Sequence, residues 1–260
     1  MKKMKFGLST KIIACILTVQ IVVMGVLVLF IGNAITNNTK QSTTNNMETV
    51  VEERSRIIDN YVQEMEQTLT AYSRAGEILD VLKNPTDEAA VAAAQAYTEK
   101  FSADVSNLEG LYVSEWNTHV LAHTNAAVVG ITTREGDPLK ALQDALLAAD
   151  GVYNTGIIIS PASGQQIVSL YRAVFDESGN PVGLVGGGIF TTGLIQLLDS
   201  LTMQGMENAE YRMVNATNGQ YIFCEDGEKV ATEAEEEYIR DLCAKYSGAA
   251  ANDMGFREYT

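Results

Sequence analysis

Arg134 is the residue whose chemistry points most directly to ligand binding. It is the only arginine between Arg74 and Arg172. A guanidinium group can hold a carboxylate through two parallel hydrogen bonds, so an isolated arginine in a polar connection suggests recognition of an anion. The neighbouring acids Glu135 and Asp137 leave a simpler alternative open, in which Arg134 is a solvated surface residue paired with one of them.

The two histidines do not form a pattern typical of a metal centre. His119 and His123 fall on the same face of a predicted strand, where two imidazoles could bind a metal or respond to pH. The sequence fixes no third ligand beside them, so we expect a structural or ligand-facing histidine, with His123 a candidate for the binding site. No CxxC, HExxH, P-loop or GxSxG motif occurs in the chain. We therefore predict neither catalysis nor a cofactor.

The elements that must position these side chains begin with an apolar segment near the N-terminus. Residues 12–31 carry no charge, and only Thr18 and Gln20 among them are polar. At about 1.5 Å per residue, a helix of this length spans roughly 30 Å, the thickness of the hydrocarbon core of a bilayer. We predict a membrane-spanning helix over residues 12–34. A cleaved signal peptide is the alternative, because residues 32–34 resemble a cleavage site, but the apolar segment is longer than such peptides usually have.

The distribution of charge indicates which side of the membrane each part occupies. Four of the 18 Lys+Arg precede the apolar segment, so the positive-inside rule places residues 1–11 in the cytoplasm and the remainder outside. Without those four lysines, 14 Lys+Arg stand against 33 Asp+Glu, a net charge of −19. This charge argues against binding nucleic acid and against lying flat on an anionic membrane surface. Cys224 and Cys243 could pair outside the cell, and their spacing leaves that question open.

A long amphipathic helix is predicted after the membrane span. Apolar residues recur every three or four positions from Met47 to Leu82, and acidic residues fall mostly between them. A helix of about 37 residues would be roughly 55 Å long, which is more than a single small core requires. We assign residues 35–83 to a stalk that packs against the same helix of a second copy, giving a homodimer. Alternatively, the apolar stripe covers only the sheet of its own domain.

Beyond this helix the pattern changes from helical to extended. Asn84-Pro85 ends the long helix, and Thr86 is suited to cap a second helix that runs to about Val105. Turn-forming residues then separate a hairpin, a short helix, three strands and a last helix, predicted at residues 110–116, 119–124, 139–149, 156–160, 165–175, 182–190 and 192–201. This order predicts an α+β domain with a five-stranded antiparallel sheet and helices on one side of it.

Three stretches of the chain carry a resemblance to a known family. Residues 111–116 (LYVSEW) and 120–125 (VLAHTN) resemble the first hairpin of extracytoplasmic Cache sensor domains, and residues 159–189 resemble their last three strands. In that family a PAS-like sheet is carried on a long helix that rises from the first transmembrane span. The resemblance covers about residues 36–201 and implies a sensor module at residues 84–201.

The resemblance also implies where a ligand would bind, namely between the sheet and the insert that crosses it at residues 125–153. Arg134 lies in this insert, and Tyr171 is expected to face the pocket, although it could equally fill the core against the long helix. Further candidates for ligand contact are Tyr153, Asn154, Trp116, Asn125, His123, Ser160 and Gly188.

Two departures from the amino-acid-sensing members of the family argue against an amino acid as the ligand. Those members resemble Arg-x-Trp-Tyr in the insert, whereas this chain has Pro138-Leu139 where Trp-Tyr would fall. Gly188 stands where an aspartate would bind the amine of the ligand. Because burying an ammonium without a charged partner is costly, we expect a small carboxylate or an uncharged metabolite. Three glycines at residues 186–188 would let a ligand or a neighbouring backbone approach closely, or simply relieve crowding.

Residues 202–260 are predicted to begin a membrane-proximal module. A hairpin at residues 211–214 and 220–224 surrounds Asn218-Gly219, and an acidic helix follows at residues 234–246. We expect the chain to be the N-terminal portion of a longer protein. Its predicted function is the small-molecule-sensing part of a transmembrane receptor, most often a methyl-accepting chemotaxis receptor in this family. The alternatives are the sensor of a diguanylate cyclase or histidine kinase, or a structural stalk that binds no ligand.

Overall fold

The computed structural model describes residues 7–199, 210–224 and 226–247. Two compact units are recognised, one containing the chain up to Glu52 and the other beginning at Glu53 and containing the sheets. In chain order the elements are α1 (Leu8–Ser73), α2 (Gly76–Lys83), α3 (Glu88–Ser102), β1 (Leu108–Glu115), β2 (Val120–His123), α4 (Gly136–Ala148), β3 (Val152–Ile159), β4 (Gln166–Phe175), β5 (Pro181–Phe190), α5 (Thr191–Asp199), β6 (Met213–Val214), β7 (Tyr221–Phe223) and α6 (Glu237–Tyr246).

The first unit contains the N-terminal part of α1, which is the one helix among the described residues that is long and apolar enough to cross a membrane. Its apolar side chains do not pack against other parts of the chain; Ile21 is 71% exposed and Phe30 is 74% exposed. Apolar side chains of this kind in a continuous row are stable only in contact with lipid or another apolar surface. A membrane span in α1 is consistent with this arrangement.

The second unit is an α+β domain built on a five-stranded sheet, as predicted. The strand order is β2-β1-β5-β4-β3, and every neighbouring pair is antiparallel. The end of α1 packs on one face of this sheet through Met65, Leu69 and Tyr72, which are at most 2% exposed. Helices α2 and α3 complete the same core. The apolar stripe of α1 therefore does cover the sheet of its own domain over this last part.

The prediction of one uninterrupted helix to residue 82 is wrong. Helix α1 ends at Ser73, Ala75 adopts an extended conformation, and α2 begins at Gly76. The break redirects the chain so that Ile78, Val81 and Leu82 reach the core. The apolar spacing resumes after the break, so periodicity alone could not reveal it. The cap of α3 is also one residue later than predicted, because the Asp87 carboxylate accepts the Ala89 N–H at 2.9 Å.

Helix α4 covers the opposite face of the sheet, so the helices do not all lie on one side. Leu142 and Leu146 of α4 pack against Tyr171, Ala173 and Leu184. A 3₁₀ turn at Ala126–Val128 and the segment up to residue 135 connect β2 to this helix. The insert thus crosses the sheet, with α4 over one part of the face and the connection over another.

The described residues beyond α5 form a small hairpin and helix. Strands β6 and β7 pair antiparallel, and Tyr221, Cys224, Ala234 and Ile239 form a separate core with α6. Cys224 and Cys243 are both free thiols in the structure. The predicted module boundary at residue 202 lies outside the described residues.

Candidate functional site

A cavity of about 490 Å³ lies on the face of the sheet opposite α1. Its floor is made by the strands, and its roof by the connection between β2 and α4. Most of the surface of the wall is apolar, and its polar side chains are Glu109, Tyr112, His123, Thr132, Thr133, Arg134, Ser160, Ser169 and Tyr171. A mostly apolar cavity with a few convergent polar groups is typical of small-molecule binding sites.

The backbone of Arg134 is fixed by the tip of the first hairpin. The Arg134 N–H donates to the Thr118 hydroxyl at 3.0 Å, and the same hydroxyl donates to the Arg134 carbonyl at 3.1 Å. Thr118 itself is only 1% exposed and has a positive φ of 67°. This reciprocal pair holds the polar connection against the hairpin and sets the direction in which the arginine side chain leaves the backbone.

The guanidinium of Arg134 points into the cavity rather than to a neighbouring acid. Its Nη2 donates to the Tyr171 hydroxyl at 3.0 Å, and its central carbon lies 4.9 Å from the centroid of the Tyr171 ring. Among the described residues no carboxylate forms an ion pair with it, so the alternative of a pair with Glu135 or Asp137 is not what the structure contains. A guanidinium has five N–H donors, and most of them remain available here for a ligand.

Tyr171 and Tyr112 form a phenolic wall beside this guanidinium. Burial raises the pKa of the Tyr112 phenol well above its ordinary value; the adjacent Tyr171 acts in the same direction and Arg134 opposes it. The Tyr112 hydroxyl therefore stays protonated and can donate a hydrogen bond. Arg172, the next residue of β4, lies on the other face, where burial and the nearby Arg74 lower its pKa.

His123 lines the cavity with a defined tautomer. Its ring stacks on Tyr112 with 5.3 Å between centroids, and its Nδ1 accepts the Asn125 N–H at 2.8 Å. An Nδ1 that accepts a hydrogen bond carries no proton, so the proton of the neutral ring is on Nε2. Burial lowers the pKa of His123, and the neighbouring Glu109 partly opposes that effect.

Glu109 is the charged residue of the cavity that sequence reasoning missed. It lies where the pairing of β1 with β5 changes register, between Leu108, which pairs with Ile189, and Gly110, which pairs with Gly188. A bulged residue does not follow the regular alternation of side chains between the two faces of the sheet. The face on which Glu109 lies therefore could not be predicted from that alternation. The carboxylate accepts the Ser160 hydroxyl at 2.5 Å.

The predicted site residues divide into two groups in the structure. Those that line the cavity are Arg134, Tyr171, His123, Ser160 and Gly188. The other four lie outside the cavity wall, and each has another structural role. Trp116 and Tyr153 pack in the apolar cluster under α4. Asn125 caps the 3₁₀ turn, and the exposed Asn154 accepts the Gly156 N–H at 2.7 Å.

No group of three metal-ligating side chains occurs among the residues that the structure describes. His119 lies outside the cavity wall, and its Nδ1 is 3.5 Å from the Thr132 hydroxyl. The argument from sequence against an amino-acid ligand is wrong in its premise, because Glu109 supplies a carboxylate to the cavity that Gly188 does not.

No protein-family model and no curated protein matches the chain. Solved structures do match it. The sensor domain of the V. cholerae histidine kinase DctB is 12% identical, with a TM-score of 0.60 over 82% of this chain and 79% of that one. The sensory domain of the Campylobacter jejuni chemoreceptor Tlp3 with isoleucine bound is 12% identical, with a TM-score of 0.58 over 79% and 80%.

A third structure, the ligand-binding domain of the Pseudomonas fluorescens chemoreceptor CtaA in complex with L-serine, is 19% identical, with a TM-score of 0.51 over 73% of this chain and 75% of that one. These neighbours share the long N-terminal helix and the five-stranded antiparallel sheet. At such low identity the similarity establishes the fold. The fold of this chain is that of the Cache-type sensor domains of chemoreceptors and histidine kinases.

Proposed function

We propose that the chain is the extracytoplasmic sensing portion of a transmembrane receptor and binds a small molecule that carries a carboxylate. The observation that carries this proposal is the placement of Arg134 in the cavity, held from behind by Thr118 and bonded to Tyr171. A guanidinium with free donors in a mostly apolar cavity is suited to a carboxylate. Ligand binding by Tlp3 and CtaA, which have the same fold, supports a sensory role.

Helix α1 is the element by which ligand binding would reach the membrane. It packs against the sheet through Met65 and Leu69, and Arg54 of the same helix lies 4.0 Å from the centroid of the Tyr211 ring in the membrane-proximal hairpin. A ligand that binds one conformation of the cavity better would shift the helix along with the sheet. We propose that residues 12–34 span the membrane, with residues 1–11 in the cytoplasm, and that the helix pairs with a second copy in a homodimer.

We propose a chemoreceptor as the receptor type, as for Tlp3 and CtaA. The sensor of a histidine kinase is the alternative with a specific observation in its favour, because the DctB sensor domain has the same fold. The sensor of a diguanylate cyclase remains a further alternative from the family resemblance. A stalk that binds no ligand is less consistent with a cavity of about 490 Å³ into which several polar side chains converge.

The first prediction is that Arg134 anchors the ligand. The full chain in detergent should be screened by thermal shift against carboxylates, amino acids, amines and purines. A ligand at about 100 times its dissociation constant stabilises the folded state by about 2.7 kcal/mol, a shift of several degrees. We expect Arg134→Ala to abolish the shift given by a carboxylate ligand. Arg134→Lys should keep part of this ligand-induced shift, because an ammonium is charged but cannot form the two parallel hydrogen bonds of a planar guanidinium.

Arg172→Ala is the matched control, since Arg172 is the next arginine in the chain and lies on the other face of the sheet. It should leave the ligand-induced shift in place. A folded sample that responds to none of these compound classes would contradict the proposed sensory role. A response that is equal in the wild-type chain and in Arg134→Ala would contradict the role of the arginine alone.

A further inference from the structure

Strand β2 forms one edge of the five-stranded sheet, and its last residue, His123, lines the cavity. The Thr124 N–H bonds to the Leu111 carbonyl of β1 at 3.0 Å, so the N–H and the carbonyl of His123, one residue earlier, point away from β1. In the part of the chain that the structure describes, no strand lies beyond β2 to pair with them. Because backbone groups in a folded domain rarely stay unpaired, another element must supply their partners.

A single side chain of α3, that of Gln95, supplies both partners. Its Nε2 donates to the His123 carbonyl at 2.9 Å, and its Oε1 accepts the His123 N–H at 3.0 Å. An amide side chain carries the same donor and acceptor as a peptide group, so Gln95 takes the place of a residue in a neighbouring strand. Its Nε2 also donates to Glu99 Oε1 at 2.7 Å. A flipped amide would bring two oxygens or two N–H donors together at each of these contacts.

The helix that carries Gln95 is fixed on the other side of the sheet. The hydroxyls of Tyr72 in α1 and Thr98 in α3 share a hydrogen bond of 2.6 Å, and both residues are fully buried. Ala94, the residue before Gln95, packs in the same core. Gln95 is not part of the cavity wall. It therefore connects a helix packed on α1 to the backbone of a residue that lines the cavity.

The ring of His123 is held on its remaining sides by three further contacts. It stacks on Tyr112 with an angle of 10° between the rings, and its Nδ1 accepts the Asn125 N–H. Gly110 leaves room for the ring, because a Cβ there would lie 3.2 Å from His123 Cε1. The proton of the neutral ring is on Nε2, and no described residue accepts a hydrogen bond from it. The cavity wall thus contains an N–H donor that the protein itself does not use.

We propose that Gln95 is a positioning residue of the binding site: it fixes the main chain of His123 from outside the cavity, so that the imidazole stays on Tyr112 and presents its Nε2–H to the ligand. This inference rests on the proposed function, since it adds a neutral hydrogen-bond donor to the site that contains Arg134. Alternatively, Gln95 only closes the edge of the sheet, and the imidazole would keep its place without it.

The experiment follows the His123 imidazole by NMR in the full chain in detergent. The chain has two histidines, so isotope-labelled histidine gives two sets of ring signals, and His119→Gln assigns them. The ring nitrogen signals give the ratio of the two neutral tautomers, and a pH titration gives the pKa of each imidazole. We expect the Nε2–H tautomer to dominate at His123 in the wild-type chain. Burial should hold its pKa below the ordinary value of 6.5, with the nearby Glu109 opposing that effect.

Gln95→Met removes both hydrogen bonds to His123 and keeps the length of the side chain. It should reduce the ratio of the Nε2–H to the Nδ1–H tautomer about threefold or more, the factor expected when one neutral hydrogen bond is weakened. The pKa of His123 should move towards 6.5, because a less firmly held ring is less buried. Gln95→Asn has an amide that is too short to reach both backbone groups. It should give a smaller change in the same direction, and it replaces Gln95→Met if that variant does not fold.

Gln143→Met is the matched control for the loss of a glutamine that bonds to the main chain. Gln143 of α4 donates to the Trp116 carbonyl, near the turn of the same hairpin, at 3.0 Å. The substitution has the same chemistry as Gln95→Met but does not touch the backbone of His123. Both the tautomer ratio and the pKa of His123 should therefore stay as in wild type.

Binding measurements separate a positioning role from a direct one. Calorimetry would use the carboxylate that gives the largest thermal shift with the wild-type chain. His123→Phe keeps a ring on Tyr112 but removes the Nε2–H, and it should weaken the binding of this carboxylate about three- to tenfold. Gln95→Met should weaken it by no more than that. The double variant should bind no worse than His123→Phe alone, because Gln95 acts only through the imidazole.

Each failure has a different meaning. An unchanged tautomer ratio and pKa in a folded Gln95→Met chain would refute the positioning role and leave the proposed sensory function intact. Losses of affinity that add in the double variant would also refute it, since Gln95 would then act independently of His123. If no carboxylate binds to a folded wild-type chain, the carboxylate-binding function is refuted, and the NMR signals alone decide whether Gln95 positions the ring.

Discussion

At the residue scale, His123 makes a hydrogen bond that only the neutral form of its imidazole can make. Its Nδ1 accepts the Asn125 N–H at 2.8 Å, at the first turn of the connection that roofs the cavity. Protonation would place a second donor at that nitrogen, opposite the N–H, and the bond would be lost. The start of the roof therefore depends on the charge of one imidazole.

The second prediction concerns the pH dependence of folding stability. Burial lowers the pKa of His123 from its ordinary value of 6.5 in the folded state. The unfolded chain therefore takes up the proton first as the pH falls, which favours unfolding. Neutral His123 should make its full contribution to the free energy of unfolding above pH 6.5. This contribution should decrease as the pH falls from 6.5 towards the lowered pKa of His123 in the folded state. Urea unfolding of the full chain at a series of pH values measures this decrease.

The controls for this prediction use the two histidines of the chain. His123→Gln should reduce the loss of stability between neutral and mildly acidic pH, compared with wild type. His119→Gln should keep it, and the carboxylates that are remote from both histidines contribute equally to all three proteins. Parallel stability profiles for wild type and His123→Gln would contradict the proposed linkage.

The residues of the cavity differ in how far sequence could identify them. Arg134 stood out because it is the only arginine in a long stretch, and Tyr171 because strand alternation placed it opposite Arg172. Glu109 gave no such signal, since the bulge that turns it into the cavity depends on pairing with β5. Trp116 and Tyr153 were named as further candidates for ligand contact, whereas in the structure their rings pack under α4.

At the scale of the elements, β5 is crowded on both faces because it is the central strand. Helix α2 and strand β1 approach it closely, because a Cβ at position 183 would clash with Leu82 of α2 and with the Ser114 carbonyl of β1. Met65 of α1 occupies the space over Gly187 on the same side of the sheet. Gly187, one of the three glycines that sequence reasoning linked to ligand access, therefore also allows α1 to pack on this strand, and Gly183 does the same for α2.

The third prediction is that Gly183→Ala destabilises the domain more than Gly188→Ala does. A Cβ at position 183 would lie 2.5 Å from the Ser114 backbone oxygen, which cannot move without distorting the sheet. We expect a loss of about 1–3 kcal/mol in the free energy of unfolding. At position 188 the nearest atom is the end of the Ile167 side chain, which can rotate away, so the loss should be below about 1.5 kcal/mol.

Urea unfolding followed by fluorescence measures both variants, because Trp116 is the only tryptophan of the chain. The same Trp116 packs in the cluster of Tyr171 and Leu184, which reports on the integrity of the sheet. Equal losses for the two variants would show that the sheet relaxes around position 183. That result would contradict the close approach of β1 and α2 to this strand.

The ends of the helices and strands were predicted well where turn-forming residues separate the elements. They were predicted poorly where packing determines that a helix is interrupted. The last three strands were found within a few residues because Pro, Gly, Asn and Asp mark the turns between them. The break between α1 and α2 has no such cluster. It exists because the apolar residues of α2 reach the sheet only after the helix axis changes direction.

At the scale of the whole molecule, the second hairpin repeats the local structure of the first. An isolated bridge joins His119 to Thr132 in the first and Gln220 to Glu233 in the second, with each partner 101 residues further along the chain. In each case a 3₁₀ turn, capped by Asn125 or by Asp226, lies between the two bridge partners, and a helix follows the second partner. The sequence shows little of this repeat, because hydrogen bonding of the backbone carries it rather than residue identity.

The repeat preserves backbone geometry while changing the chemistry. The position that corresponds to Arg134 in the second hairpin, 101 residues further on, is Glu235. Arg212 nearby forms ion pairs with Glu210 and Glu236 at 2.7 and 3.0 Å. The second hairpin therefore has an acid where the first has Arg134, and its nearby arginine is already paired with carboxylates.

The last prediction tests whether α1 pairs with a second copy outside the membrane. Met47 and Val51, one helical turn apart, are 42% and 51% exposed and lie beyond the predicted span. Two apolar side chains at this spacing form a surface that a twin helix could cover. We expect Val51→Cys, in a chain whose three native cysteines are replaced by serine, to form disulfide-linked dimers in membranes under mild oxidation.

Glu53→Cys is the matched control, because a position two residues away points to nearly the opposite side of a helix. It should cross-link much more slowly than Val51→Cys. If the helix also carries the signal, addition of a ligand found by thermal shift should change the rate for Val51→Cys, since the distance between the two helices would change. Equal cross-linking at both positions would contradict a defined helix pair, and an unchanged rate would remove α1 as the route from the cavity to the membrane.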